Sequence, residues 1–377
     1  MSFWRKLLRK SNENPLADDY LSQVEQVIAL SYIDPYLGTD LISSNTIKRI
    51  FQIDNQLHIS IVLNYPGLIV RPLIIDALSK ALKTLNLFND VCIDVQWDIP
   101  THLGQRQEAS RIKNIIAVSS GKGGVGKSTT SANLALALAS EGASVGILDA
   151  DIYGPSIPTM LGLSGYPASD DGKTMNPKVS FGVQTISIGY LIEEDQPMIW
   201  RGPMVTNALQ QLLNDTKWDN IDYLIVDLPP GTGDIQLTLA QQIPVTGAVI
   251  VTTPQDIALI DAQRGLGMFE KVNVPVLGVV ENMSMHICSN CGHEEAIFGQ
   301  GGGAAMAKKN EIELLGSLPL DIHIREFADS GRPTVVADPD GRATEIYKSI
   351  ARKMAAKLAL KGKDYSSKFP NIVIQNT

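Results

Sequence analysis

Cysteine is scarce in this chain: three residues in 377, at positions 92, 288 and 291. That is too few for a disulfide framework, which excludes the small secreted scaffolds that depend on one. There is no run of eighteen apolar residues, so no stretch suits a membrane-spanning helix. No secretory signal with a cleavage site precedes the body of the chain, and we expect a cytoplasmic location. Positive charge is not in excess either. Lysine and arginine number 32 against 40 acidic residues, a net charge of −8. Nucleic-acid binding calls for a basic surface, so we expect no nucleic-acid partner. What remains, with 44% hydrophobic residues, is the composition of an ordinary globular protein long enough for two domains.

The chemistry starts at Gly121, Lys122, Gly123, Gly124, Val125, Gly126, Lys127, Ser128 and Thr129, which satisfy the phosphate-cradling pattern G-x-x-x-x-G-K-[ST]. Asn114 to Ser120 reads as a buried strand before it, and an Ala/Leu-rich helix follows, ending near Gly142. Glycines let successive backbone N–H groups turn inward, and the helix N-terminus adds a positive dipole end. Lys127 is placed to neutralise the terminal phosphates and Ser128 to ligate Mg²⁺, so ATP and Mg²⁺ are the expected ligands.

Strands and helices then alternate, which predicts an α/β P-loop NTPase fold: a mainly parallel sheet with helices on both faces and ligands at the carboxyl ends of the strands. Ser144 to Asp149 is a strand that runs into Asp149-Ala150-Asp151, and Tyr223 to Asp227 is an apolar run closing on a carboxylate. Further strands are expected at 247–252 and at 274–280 (ending in Glu281, Asn282, Met283 and Ser284), and a last strand and loop at 314–321. A packing helix closes the domain around 343–360.

The organisation we expect is a basic segment at 1–13, a small α+β domain at 14–98, a linker at 99–112, the ATPase domain at 113–362 and a tail at 363–377. In the small domain we expect helices at 20–31 and 73–84, strands at 56–65 and 91–97, and a loop from Asp34 to Ile47. Cys92 falls in an alternating strand and reads as a packed small hydrophobe. The basic first residues, with Phe3, Trp4, Leu7 and Leu8, read most simply as a terminal helix; membrane-surface docking, partner docking and a presequence are other readings.

Cys288 and Cys291 stand at C-x-x-C spacing, a chelating pair that fills half of a tetrahedral or cluster site. A symmetric dimer would bring four thiolates together, enough for a bridging [4Fe–4S] cluster. A Zn²⁺ site with His286 or His293, a redox disulfide and a metal-free loop remain open on the residues alone.

The stretch GKGGVGKS resembles the deviant P-loop of the SIMIBI-class ATPases, which include ParA/MinD-like proteins, the nitrogenase iron protein and the Mrp/ApbC group. In that class the early lysine reaches a partner's nucleotide, which implies that Lys122 acts in trans within a homodimer. By the same resemblance, Asp149 serves the Mg²⁺ hydration shell, Asp151 orients the attacking water, Asp227 is the Walker B carboxylate and Asn282 contacts the adenine. PPGTGD after Asp227 resembles switch II, and Pro197 to Met204 is distinctive of the Mrp group. The small domain resembles an iron-sulfur-assembly domain through Asp34-Pro35 and Asp40-Leu41-Ile42-Ser43. Many relatives of that domain carry a cysteine after the central strand; this chain reads Tyr65-Pro66-Gly67-Leu68, and no thiol chemistry is assigned there. Together these motifs resemble the Mrp/ApbC-type iron-sulfur cluster carriers. The resemblance implies a [4Fe–4S] cluster bridging two subunits through Cys288 and Cys291. It also implies slow Mg²⁺-dependent ATP hydrolysis, cluster assembly scaffolds and apo iron-sulfur proteins as partners, and no stable membrane association. A ParA/MinD-like positioning ATPase acting on DNA or membrane, and a zinc-bridged ATPase dimer, are the alternatives.

Overall fold

The computed structural model describes residues 15–103, 111–191, 202–288 and 290–364. The basic segment 1–13, the middle of the linker, Pro197 to Arg201 and the chain beyond Asp364 lie outside the described residues. Contacts divide the chain into two compact units, one of Thr101–Leu358 and one of the residues up to Pro100 together with the end of the chain from Ala359.

The unit that begins the chain contains α1 (Asp18–Ser31), β1 (Ile33–Asp34), β2 (Thr39–Asp40), β3 (Ile47–Ile53), β4 (Gln56–Leu63), α2 (Val70–Lys83) and β5 (Asp90–Trp97). β3 and β4 form a hairpin whose turn residues, Asp54 and Asn55, both have left-handed backbone (φ 46° and 61°). Such a turn matches the twist of its flanking strands. β4 and β5 run parallel, and α2 supplies the crossover that parallel neighbours require. Alternate residues of β4, from Leu57 to Leu63, are buried, as are Val70, Ile74, Leu78 and Leu82 on one stripe of α2.

Two features differ from the sequence-based reading. The segment after the 34–46 turns is a strand, β3, although Lys48 and Arg49 mask its pattern; as an edge strand it needs only β4 to satisfy its ladder. Cys92 is not packed but exposed. In β5 the residues Asp90, Cys92, Asp94 and Gln96 share the outward face, while Val95 points inward. The alternation of the strand assigns the thiol to the polar side.

Asp34 is buried and organises the turn that follows it. Its Oδ1 accepts the backbone N–H groups of Tyr36 (2.8 Å) and Leu37 (3.1 Å), and its Oδ2 accepts the Tyr65 hydroxyl at 2.5 Å. Burial and the neighbouring carboxylate push the Tyr65 hydroxyl far above its ordinary pKa, so it stays a donor.

The Thr101–Leu358 unit holds β6 (Ile112–Ser119), β7 (Val145–Asp149), β8 (Lys178–Ser180), β9 (Val183–Ser187), β10 (Ile221–Asp227), β11 (Gly247–Thr252), β12 (Val276–Glu281), β13 (His286–Ile287), β14 (Glu294–Glu295) and β15 (Leu314–Ser317). Its eight-stranded sheet has the order β15-β12-β11-β6-β10-β7-β9-β8, parallel except for the antiparallel edge strand β8. Every residue of β7 and β11 is buried, the pattern of a parallel sheet covered on both faces. Helix α3 (Lys127–Ser140) follows β6 and packs on β7, β10 and β6. Parallel pairing brings the carboxyl ends of β6, β7 and β10 side by side, with Asp227 in register with Asp149 on one side and Val118 on the other.

Replacing Tyr65 by Phe should leave Asp34 Oδ2 short of a donor inside the small unit and destabilise it by about 1–3 kcal/mol. Hydrogen exchange of the β4 amides should accelerate accordingly, while the ATPase strands keep their protection.

Candidate nucleotide site and cysteine hairpin

Between β6 and α3 the loop uses glycine for three different physical reasons. Gly124 and Gly126 have left-handed backbone (φ 81° and 82°), which side-chain-bearing residues adopt at a cost. Gly121 lies so close to the backbone of Asp261 that an added Cβ would come within 2.2 Å of its carbonyl carbon. At Gly123 and Gly124 an added Cβ would meet nothing within 4 Å, so this side of the loop is open for a ligand to approach the N–H groups. Val125 is buried, and its carbonyl accepts Asn282 Nδ2 at 2.9 Å. Asn282 thus braces the loop from the end of β12, and a Cβ on Gly126 would collide with its amide at 2.1 Å.

Three carboxylates converge on the first turn of α3. Asp227 Oδ2 lies 2.7 Å from Lys127 Nζ and accepts the Ser128 hydroxyl at 2.6 Å. Asp227 Oδ1 accepts the Ser131 hydroxyl at 2.6 Å. Asp151 Oδ2 lies 3.5 Å from the same ammonium, and Asp151 Oδ1 accepts the N–H groups of Tyr153 and Gly154, each at 3.3 Å. Asp149 accepts the N–H groups of Asp151 (3.1 Å) and Ile157 (3.2 Å) and the Ser187 hydroxyl (3.0 Å). Burial, and then repulsion by Asp227, push the Asp149 carboxyl up to about 7, with Lys127 opposing the rise. Asp151 is raised for the same first reason.

The P-loop residues 121–129 are therefore brought together with Asp149, Asp151 and Asp227. Ser131 and Ser187 are partners that the motif reading missed. Ser131 was within reach of sequence reasoning, because it stands four residues after Lys127 on the same helix face. Ser187 comes from β9, and only strand pairing delivers it to Asp149. Lys122 is half-buried, with its carbonyl held by the Ser120 hydroxyl at 2.9 Å. Its ammonium forms no ion pair with another described residue. The switch-like loop after β10 is tied to the P-loop by the Gly231 N–H, which donates to the Ser120 carbonyl at 2.9 Å.

The cysteine pair stands apart, in the 288–293 connection between the two-residue antiparallel strands β13 and β14. Cys288 N–H donates to the His293 carbonyl and Gly292 N–H to the Cys288 carbonyl, both at 2.9 Å, with Gly292 at φ 71°. The N–H groups of Cys291 and Asn290 face the Cys288 sulfur and hold its thiol below the ordinary range, helped by the Cys291 side chain and by His286. His286 Nδ1 is 3.1 Å from the Leu320 carbonyl. Among the described residues no cluster of three or more His, Cys, Asp or Glu forms a metal-holding group.

Comparison with known proteins adds to this geometry. Residues 111–355 match the family described as NUBPL iron-transfer P-loop NTPase, and residues 22–95 match the family described as iron-sulfur cluster assembly protein. An iron-sulfur cluster carrier protein of Salmonella typhimurium is 53% identical over 331 residues, 87% of this chain and 90% of that one. A protein of Escherichia coli K12 with the same name is 64% identical over 252 residues, 67% of this chain and 68% of the relative. The Mus musculus iron-sulfur cluster transfer protein NUBPL is 48% identical over 258 residues, covering 68% and 81%. Among solved structures, a nucleotide-binding protein of Archaeoglobus fulgidus in complex with ADP aligns with a TM-score of 0.55 at 38% identity, over 63% of this chain and 92% of that one. The cell division ATPase MinD of Pyrococcus furiosus aligns at 0.50 with 21% identity, over 64% and 98%, a likeness of fold alone.

The raised Asp149 carboxyl has a consequence for stability. Between the ordinary carboxylate value of 3.8 and about 7, the folded chain holds this proton more tightly than the unfolded chain. The stability contributed by this group therefore falls as pH rises through that window and levels off above it. Asp149→Asn should flatten that slope, which thermal unfolding followed between about pH 5 and pH 8 would read out.

Proposed function

The chain belongs to the NUBPL iron-transfer P-loop NTPase family, and from that premise we propose that it is an ATP-dependent iron-sulfur cluster carrier. It holds a [4Fe–4S] cluster between two copies and hands it to apo iron-sulfur proteins. The observation that carries this reading is the cysteine hairpin: two thiols at chelating spacing, one of them already biased toward thiolate, and no further ligand cluster among the described residues. One chain provides half of a four-thiolate site; two chains related by a two-fold axis provide all of it.

Features beside the P-loop support the same dimer. Tyr153, two residues after Asp151, is 64% exposed, and Ile257 and Ile260 are 69% and 56% exposed on the helix whose Asp261 backs Gly121. Exposed apolar side chains on the elements that flank a nucleotide site are suited to closure by a second copy. Lys122 would act across that interface on the partner's nucleotide.

The donor set suits Mg²⁺. Ser128, Asp149 and Asp227 offer oxygen ligands to a hard cation, and the mutual repulsion that raises Asp149 is what a divalent charge would relieve. When bound, Mg²⁺ supplies charge neutralisation on the phosphates. Lys127 would exchange its carboxylate partners for phosphate oxygens, and Asp151, released from that ammonium, would orient the attacking water for slow hydrolysis to ADP and phosphate. Asn282, with its Nδ2 engaged by Val125, would contact adenine through its carbonyl oxygen. Localisation in the cytoplasm and cluster assembly scaffolds as donors complete the reading; no described helix is long and apolar enough to cross a membrane.

Anaerobic reconstitution with iron and sulfide tests the carrier role. The wild-type chain should develop a charge-transfer band with about four irons per dimer, lost in Cys288→Ala/Cys291→Ala. A colourless dimer retaining zinc would replace it with the zinc-bridged reading. Absence of both metals would leave a positioning ATPase, to be tested against DNA and lipid.

For the nucleotide site, Lys122→Ala should lower ATP turnover by about 10³-fold, as expected for a charge supplied in trans, with nucleotide binding largely retained. Turnover that is unchanged and linear in protein concentration would remove the trans role of Lys122.

A further inference from the structure

The small unit carries a second pair of metal-ligating side chains, on the face of its sheet away from the buried residues of β4. β4 and β5 pair with His58 opposite Cys92, and β3 places Phe51 opposite His58. Leu57, Ile59 and Ile61 are buried, so His58 shares the opposite face with Cys92 and with the flanking Asp90 and Asp94. Partners in register on neighbouring strands lie about 4.8 Å apart, within reach of an imidazole and a thiolate that share one ion. Phe51 stacks on the imidazole with 5.1 Å between centroids and 15° between planes, which fixes the ring. The Arg49 guanidinium lies over Phe51 at 4.9 Å. Gln56 and Gln96 donate to Asp90 (3.2 Å) and Asp94 (2.8 Å).

The independent observation is the ring nitrogen itself. His58 Nε2 is buried and has no hydrogen-bond partner. Buried polar atoms are almost always satisfied, and an unsatisfied one in a native fold calls for a reason such as a bound ion. We propose that His58 and Cys92 form a half-site for a thiophilic first-row divalent cation, Fe²⁺ being the relevant one. Imidazole nitrogen and thiolate are the donors such cations select over magnesium or calcium. Binding releases the Cys92 proton to solvent, and on the exposed Cys92 side the cation takes its remaining ligands from water or from a partner protein. The ligand class follows from these side chains, whereas iron as cargo rests on the carrier reading.

Cobalt is the probe. The full-length chain carrying Cys288→Ala/Cys291→Ala, which removes the other two thiols, is titrated anaerobically with Co²⁺. A thiolate-to-cobalt charge-transfer band should saturate at one ion per chain and be lost in Cys92→Ser. In His58→Ala the dissociation constant should rise by at least about tenfold. Ferrous iron should compete for the site. Hydrogen exchange of the β4 and β5 amides should match the parent chain in both variants, since both substitutions are on the outward face. No band, or a band that survives Cys92→Ser, overturns the proposal, and so does an affinity unchanged by His58→Ala. A wild-type chain that builds no bridging cluster would sink the carrier reading without touching this titration.

Discussion

The ion cluster at the amino end of α3 is the constraint on which the ATPase unit depends. Asp227 is buried without access to water, and the ammonium of Lys127, itself nearly buried, is 2.7 Å away. A carboxylate in that position is tolerable only with a cation and hydroxyl donors around it, and Ser128 and Ser131 are the donors. Asp149, one strand over, adds a second negative charge that the same lysine must partly offset. Holding two acidic strand ends in register beside one helix start requires β6 between β10 and β11, and β7 on the far side of β10. The parallel order of the sheet and the charge pattern of the site are in this sense one requirement.

A site built this way is already charged in a manner that a phosphate and a divalent cation can take over. The lysine needs only to trade one set of oxygens for another, and the carboxylates need only to trade an ammonium for a metal. Catalysis of phosphoryl transfer by positioning and neutralisation asks for little more. The cysteine hairpin is organised differently. It hangs from the chain after β12 and is anchored by short contacts to the loop after β15, with the Ser284 N–H donating to Leu318 and the Leu320 N–H to Met285. The segment that carries the thiols therefore begins two residues after Asn282, which braces the P-loop, so one hydrogen bond and a short stretch of chain link the nucleotide loop to the cysteine pair.

Much of this was legible in the order of residues, for local reasons. The P-loop is a contiguous pattern whose glycines, lysine and serine act within a few residues of one another, and the expected strand and helix flank it as read. Asp149 and Asp227 announce themselves because a buried apolar run that stops at a carboxylate places that charge at the carboxyl end of a strand. The misreadings also have local causes. β3 was hidden because Lys48 and Arg49 interrupt its apolar pattern, which an edge strand with one open face permits. Cys92 was read as packed from its residue type, whereas its position between Asp90 and Asp94 in an alternating strand already assigned it to the outward face.

By itself, then, the sequence determined the nucleotide loop, the acidic strand ends, the α/β architecture and the chelating spacing of Cys288 and Cys291. These rest on covalent neighbours and on periodicity, and need no knowledge of what packs where. Only the tertiary structure decided that Ser187 serves Asp149, that Asn282 holds the P-loop through Val125, that Tyr65 caps Asp34, and that His58 faces Cys92. Each of these pairs is separated by more than thirty residues, and strand register or loop packing, not sequence spacing, brings its members together.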